Sequence, residues 1–156
     1  MTTTVMTTAF VLGIALAAAP APAAAADLGP AIEQVAAHAA RVSADAREIR
    51  QLLRGGRPDF ALVRERVATL EAQAGSLRDA IAAVDAARAD LTSTQVAALD
   101  RARRASDTLL VLLANKAPML QDAETVKKNR RLLRAKAEGI AKRADIVRQQ
   151  IGQVRA

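Results

Sequence analysis

The chain has no cysteine, tryptophan or tyrosine, only two phenylalanines and a single histidine. Without cysteine there can be no disulfide, no thiolate zinc site, no c-type haem attachment and no lipid anchor on a thiol. The lack of aromatic residues argues against strands, which draw on Tyr, Val and Thr. Charge is also missing locally. Residues 1–26 contain no Lys, Arg, Asp or Glu, although charged residues make up 25% of the whole. From Ala9 an apolar run continues to Pro20, the length of a secretory hydrophobic region and short of the ~20 residues that span a bilayer. Residues 23–26 offer several small-x-small cleavage registers, and Asp27 opens a stretch of different composition. The amino-terminal region lacks Lys and Arg, so only the terminal amine supplies positive charge. These features predict a signal peptide over 1–26, cleaved near Ala26, and a periplasmic or secreted protein. The alternatives are an uncleaved anchor or an Ala-rich leader on a cytosolic chain.

Cleavage there would leave residues 27–156, enough for one domain and too few for two. That part carries no apolar stretch long enough for a transmembrane helix, and without disulfides it must hold together by packing. Arg outnumbers Lys 18 to 5, and the Ala/Leu/Arg/Glu-rich composition is that of long helices and coiled coils.

Apolar residues recur in heptads. Leu28, Ile32, Val35, Ala39, Val42, Ala46, Ile49 and Leu53 alternate spacings of four and three, a 3.5-residue period that draws one seam along a helix. Gly55 and Gly56 stop this segment and Pro58 can restart a helix at its first turn. A second seam runs through Phe60, Val63, Val67, Leu70, Ala74, Leu77, Ile81 and Val84 to Leu91, with Gly75-Ser76 as a point where it could kink. Thr92-Ser93-Thr94-Gln95 has the form of a capping box, a hydroxyl at the N-cap and Gln three residues on, so a new helix should start at Ser93. Its run of five apolar residues, 109–113, should be the most buried part of the domain or face a partner. Asn115 and Pro118 should end it. Asp122 should cap a last helix with a seam of Val126, Leu133, Ala137, Ile140, Ala144, Val147, Ile151 and Val154, loosened where Arg130 interrupts it. The expected helices are about 30–54, 58–90, 93–117 and 121–155. They imply an all-α fold, either an antiparallel four-helix bundle or elongated helical hairpins that dimerise.

Nothing in the sequence resembles catalytic equipment. His38 stands alone among alanines, and Glu33 lies five residues before it, so the Glu-x-x-His spacing of di-metal bundles is absent. There is no phosphate loop, dinucleotide fingerprint or Ser-x-x-Lys. Acidic residues such as Asp45 and Glu48 have Arg41, Arg47 and Arg50 as helical neighbours, a surface-pairing pattern. The expectation is a non-enzyme with no cofactor and no catalytic or metal-binding residues.

The formal charge of +7 is not spread evenly. Residues 27–54 carry four basic and four acidic groups, residues 55–91 five and six, and residues 92–120 four and two. Residues 121–156 carry ten and four, a net +6. Lys127, Lys128, Arg130, Arg131, Arg134 and Lys136 form the candidate binding surface, suited to acidic protein, an acidic polymer or another anionic surface. Nucleic acid is the expected partner only if the leader does not export the chain, and insertion into lipid would want Trp or Phe anchors that are missing.

Leu91, Thr92 and Gln95 spell L-T-x-x-Q at a helix start. With the leader, the absence of cysteine, the all-helical pattern and the basic character, this resembles the Spy/CpxP family of periplasmic helical proteins. Such a resemblance implies a chaperone-like or stress-related role, and for the three motif residues it supports a structural one. The chain departs from the family in carrying the motif once, in having two helices after it, and in being poor in Met, His and aromatic residues. The functional expectation is therefore an exported helical binding module using its basic last helix. The alternative is a self-assembling structural coiled coil, with a homodimer as its simplest form.

Overall fold

A computed structural model describes residues 28–56 and 58–155. The expected leader, 1–26, and its cleavage region lie outside the described residues. Four helices occur in the order α1 (Gly29–Leu52), α2 (Phe60–Ala86), α3 (Ser93–Gln121) and α4 (Ala123–Arg155), with a 3₁₀ turn over Arg88–Asp90 between α2 and α3.

The seams make the core. Ile32, Val35, Ala39, Val42, Ala46, Ile49 and Leu53 of the first segment are all buried, as are Val63 to Val84 of the second seam and every residue of the last one. Each large side chain so buried contributes about 1.5–3 kcal/mol. The helices persist through this packing rather than by intrinsic propensity.

Cross-helix pairs fix the topology. Glu33 meets Arg155, Arg47 meets Asp145 and Arg50 meets Glu138, so numbering rises along α1 as it falls along α4. His38 with Gln73 and Glu48 with Arg66 set α1 antiparallel to α2. Arg103 with Asp85 does the same for α2 and α3, and Gln95 with Val154 and Arg101 with Gln150 for α3 and α4. The described residues form an up-down-up-down four-helix bundle. Its α4 packs extensively on both α1 and α3, and the α2–α3 interface is the smallest of the four.

The connections follow from local chemistry. Asp59, not Pro58, caps α2, accepting from the amides of Ala61 (3.0 Å) and Leu62 (3.1 Å). Pro58 therefore sits just outside the helix. At the α2–α3 corner Arg88 grips Asp100 with two bonds of 2.8 and 3.0 Å and reaches Asp85 at 3.1 Å. The Asp100 carboxyl is held below the ordinary carboxylate range by that hydrogen bond, and the Arg88 guanidinium is held correspondingly more tightly protonated. Only Asp122 separates α3 from α4. Its carboxylate accepts from the Thr125 amide at 2.7 Å and from the Thr125 side chain, which lowers its pKa.

Three expectations need correction. The helix expected to end at Asn115 or Pro118 continues to Gln121 with Pro118 inside it. Pro118 is exposed on the outer face, and buried Ala117 and Leu120 on either side of it anchor the last turn. The missing amide thus costs one solvent-side hydrogen bond near the helix end rather than the helix. The 109–113 run is not buried all round: Leu109 and Leu113 lie in the core, Leu110 and Leu112 are half-buried and Val111 is 60% exposed. A bundle helix buries one stripe, and four residues per turn return only the first and last of five to it. Gly75-Ser76 leaves α2 unbroken, whereas the kink in the bundle falls at Asn129 of α4 (φ −114°, ψ 16°).

Candidate functional site

The basic residues of α4 are positioned by that kink. Asn129 leaves helical geometry, and its side-chain amide donates to the Thr125 carbonyl at 3.1 Å, which satisfies an acceptor on the preceding turn. Immediately after it, Arg130 crosses to the C-terminal end of α1. It donates to the Gly55 carbonyl at 2.6 Å and the Gly56 carbonyl at 3.3 Å. Both carbonyls belong to the turn after α1, which ends at Leu52, and a guanidinium supplies donors for them. Arg130 interrupts the heptad seam because it stitches α4 to the α1–α2 turn.

The other expected surface residues separate into two kinds. Lys127 pairs with Glu124 at 2.6 Å, an exposed contact of little energetic weight. Lys128 and Arg131 are exposed, and no carboxylate of the described residues pairs with them or with Arg134. Lys136 lies about 180° around α4 from Lys127 but about 80° from Lys128, and it is half-buried. Arg130 bonds to the α1–α2 turn, and Lys127, Lys128, Arg131 and Arg134 lie with it at one end of the bundle.

Arg50 of α1, which heptad reading treats as an ordinary surface partner, belongs with them. The groove between α1 and α4 opens there into a cleft of about 320 Å³ lined by Arg50, Arg131, Arg134, Ala135 and Glu138. Glu138 takes Arg50 at 3.1 Å on one oxygen and Lys142 at 4.0 Å on the other. The Nε–H of Arg134 is shielded from solvent and has no hydrogen-bond partner. A buried donor left in that state costs on the order of 1–3 kcal/mol. The antiparallel register of α1 and α4 could have brought Arg50 to notice, since it sets residue 50 opposite residue 138.

The L-T-x-x-Q residues are elsewhere. Thr92 caps α3, accepting from the Gln95 amide at 3.3 Å, while Gln95 Oε1 accepts from the Thr92 amide at 2.9 Å. The Gln95 side-chain amide then donates to the Val154 carbonyl at the C-terminal end of α4, at 2.8 Å. Leu91 packs against the core. The motif's other polar contacts close the α3 cap on itself, and the Gln95 side-chain amide alone joins it to α4, at the end opposite the basic cluster. His38 is half-buried with Nδ1 3.0 Å from Gln73 Oε1. Among the described residues no group of three or more His, Asp or Glu side chains is placed to hold a metal, and no helix is long and apolar enough to cross a membrane. No family model, curated protein or solved structure matches the chain.

Proposed function

We propose that this chain is an exported, non-enzymatic helical binding module with a chaperone-like or stress-related role, which engages acidic protein or polyanion surfaces through the kinked first half of α4. The observation that carries the proposal is the cluster of Lys128, Arg131 and Arg134, none paired with a carboxylate of the described residues, in the segment 121–156 that holds a net +6 of the chain's +7. Six of the ten basic residues of this segment fall within 127–136, beside a cleft, and the other four are spread over 142–155. Self-assembly through the outer face of α4 is disfavoured by the same charges. Its exposed Leu132 and Ile146 lie fourteen residues apart, about 21 Å along the helix, with Lys142 between them and Lys128 alongside.

The test is retention of the full chain on immobilised polyglutamate and polyphosphate. Reversal of Lys127, Lys128 and Arg131 to Glu should abolish retention at low salt. Reversal of Arg41, Arg78 and Arg104, one from each of the other helices, should leave it. Arg47 and Arg50 are unsuitable controls because each ties α1 to α4. Equal retention of both variants and the wild type would sink the proposal. Export is tested separately, by whether residues 1–30 direct a reporter that is active only outside the cytoplasm.

A further inference from the structure

Just past the kink, three guanidinium groups from two helices line one cleft with a single carboxylate. Arg50, Arg131 and Arg134 supply +3 and Glu138 supplies −1, so the lining carries +2. Glu138 is already committed to Arg50 and Lys142, which leaves Arg131 unpaired and the Nε–H of Arg134 shielded without an acceptor. The neighbouring cleft lined by Gly56, Pro58, Phe60, Lys127 and Arg130 is larger, about 530 Å³, yet both its cations are spent on Glu124 and on the carbonyls of Gly55 and Gly56. The α1–α4 cleft is where Arg131 and Arg134 of α4 meet a third guanidinium from another helix.

We propose that this cleft is a phosphate site, which takes one tetrahedral dianion against Arg131 and Arg134 with Arg50 on the α1 side. The inference rests on the basic-surface reading and sharpens it from anions in general to phosphate. Two charges on the ligand match the two on the lining, which a single carboxylate does not. Planar guanidinium forks pair two N–H groups with two phosphate oxygens, a geometry that a lysine ammonium lacks. The phosphate can be free or the doubly charged end group of a polymer, and the chemistry at the cleft is then the same.

The experiment titrates inorganic phosphate into the full chain by calorimetry at ionic strength held constant with chloride. Saturable binding is expected, with sulfate competing and acetate not. Arg131→Gln should weaken it about tenfold or more, the loss of a charge-assisted contact, and Arg131→Lys should weaken it too, since the fork is gone while the charge stays. Arg104→Gln, on α3 and outside the cleft, should bind like wild type. Arg134→Gln should also weaken binding. If its helical spectrum shows a folding defect, the exposed Arg131 variants decide the matter. Polyphosphate bound through Arg131 with inorganic phosphate unbound supports the site and identifies its source as a polymer. Binding of neither phosphate form through Arg131 overturns the site. If charge reversal at Lys127 and Lys128 still removes retention on polyglutamate, the broader surface reading survives that loss. Phosphate bound through Arg131 without retention on either polymer supports the cleft and removes the broader reading.

Discussion

Two serines lie in the core, and the bundle treats them oppositely. Ser43 donates to Asp145 at 2.9 Å, and Arg47 holds the other oxygen of the same carboxylate at 2.6 Å. Ser106 is as deeply buried and its hydroxyl has no partner. Ser43→Ala should lose about 1–3 kcal/mol, because Asp145 gives up a buried donor. Ser106→Ala should be neutral or stabilising, because it removes a polar group that nothing satisfies. Urea unfolding of both variants tests this, and equal losses would mean that Ser106 has a partner after all. Acid should act through two carboxylates. Asp100 and Asp122 are both held below the ordinary value of 3.8 by hydrogen bonds, chiefly from Arg88 and Thr125. A depressed carboxylate contributes stability above its unfolded pKa and loses it as pH falls through the lower folded value. Melting temperature should therefore drop below about pH 4, and Asp100→Asn should melt lower at neutral pH with a shallower acid limb. Asp45 shifts the other way, raised chiefly by burial, so its charged form opposes folding as pH rises past the carboxylate range. None of these environments shows in the sequence. Two serines on heptad stripes look alike until the partner helix is in place.

The helices themselves were far more legible than their contacts. The alternation of fours and threes identified the buried stripe of α1, α2 and α4, and Thr92 and Gln95 marked the start of α3. Local signals mislead where they compete with packing. Pro118 looked like a stop, yet Ala117 and Leu120 hold the turn around it. The 109–113 run looked like a buried plug because hydrophobicity alone does not say which side of a helix has a neighbour. The structure ranks that run. Leu109→Ala should cost about 2–5 kcal/mol, since the side chain is fully buried, and Leu110→Ala should cost clearly less. Val111→Ser, at 60% exposure, should fall within about 0.5 kcal/mol of wild type. A large loss at Val111 would mean that this face is covered by another chain in solution. The kink was invisible for a different reason. Asn129 is ordinary in a helix by sequence, and its departure from helical geometry goes with two contacts that sequence does not show, its own amide on the Thr125 carbonyl and Arg130 on the Gly55 carbonyl.

At the scale of the whole molecule, charge and fold meet in one helix. Because α4 packs against both α1 and α3, it cannot come away without opening the bundle. A ligand on its basic half therefore binds the folded chain in preference to the unfolded one, where the same cations are scattered. Such a ligand raises stability by RT ln(1 + [L]/Kd), about 2.7 kcal/mol at a hundred times Kd. For a helical domain of this size that is roughly a 10 °C rise in melting temperature. Polyphosphate added to the full chain at 0.1 M salt should produce a rise of this order, growing logarithmically with concentration. The effect should fade toward 1 M salt, where the Debye length shrinks from ~10 Å to ~3 Å. The bundle without ligand should change less over the same range, because its core is apolar and its ion pairs are mostly exposed. Reversal of Lys127, Lys128 and Arg131 to Glu should erase the polymer-dependent rise and leave the unliganded melt near that of wild type. A rise that persists in the reversed variant would place the contact on another face of the bundle. No rise in the wild-type chain at any polymer concentration would make the basic half of α4 a solvated surface and nothing more.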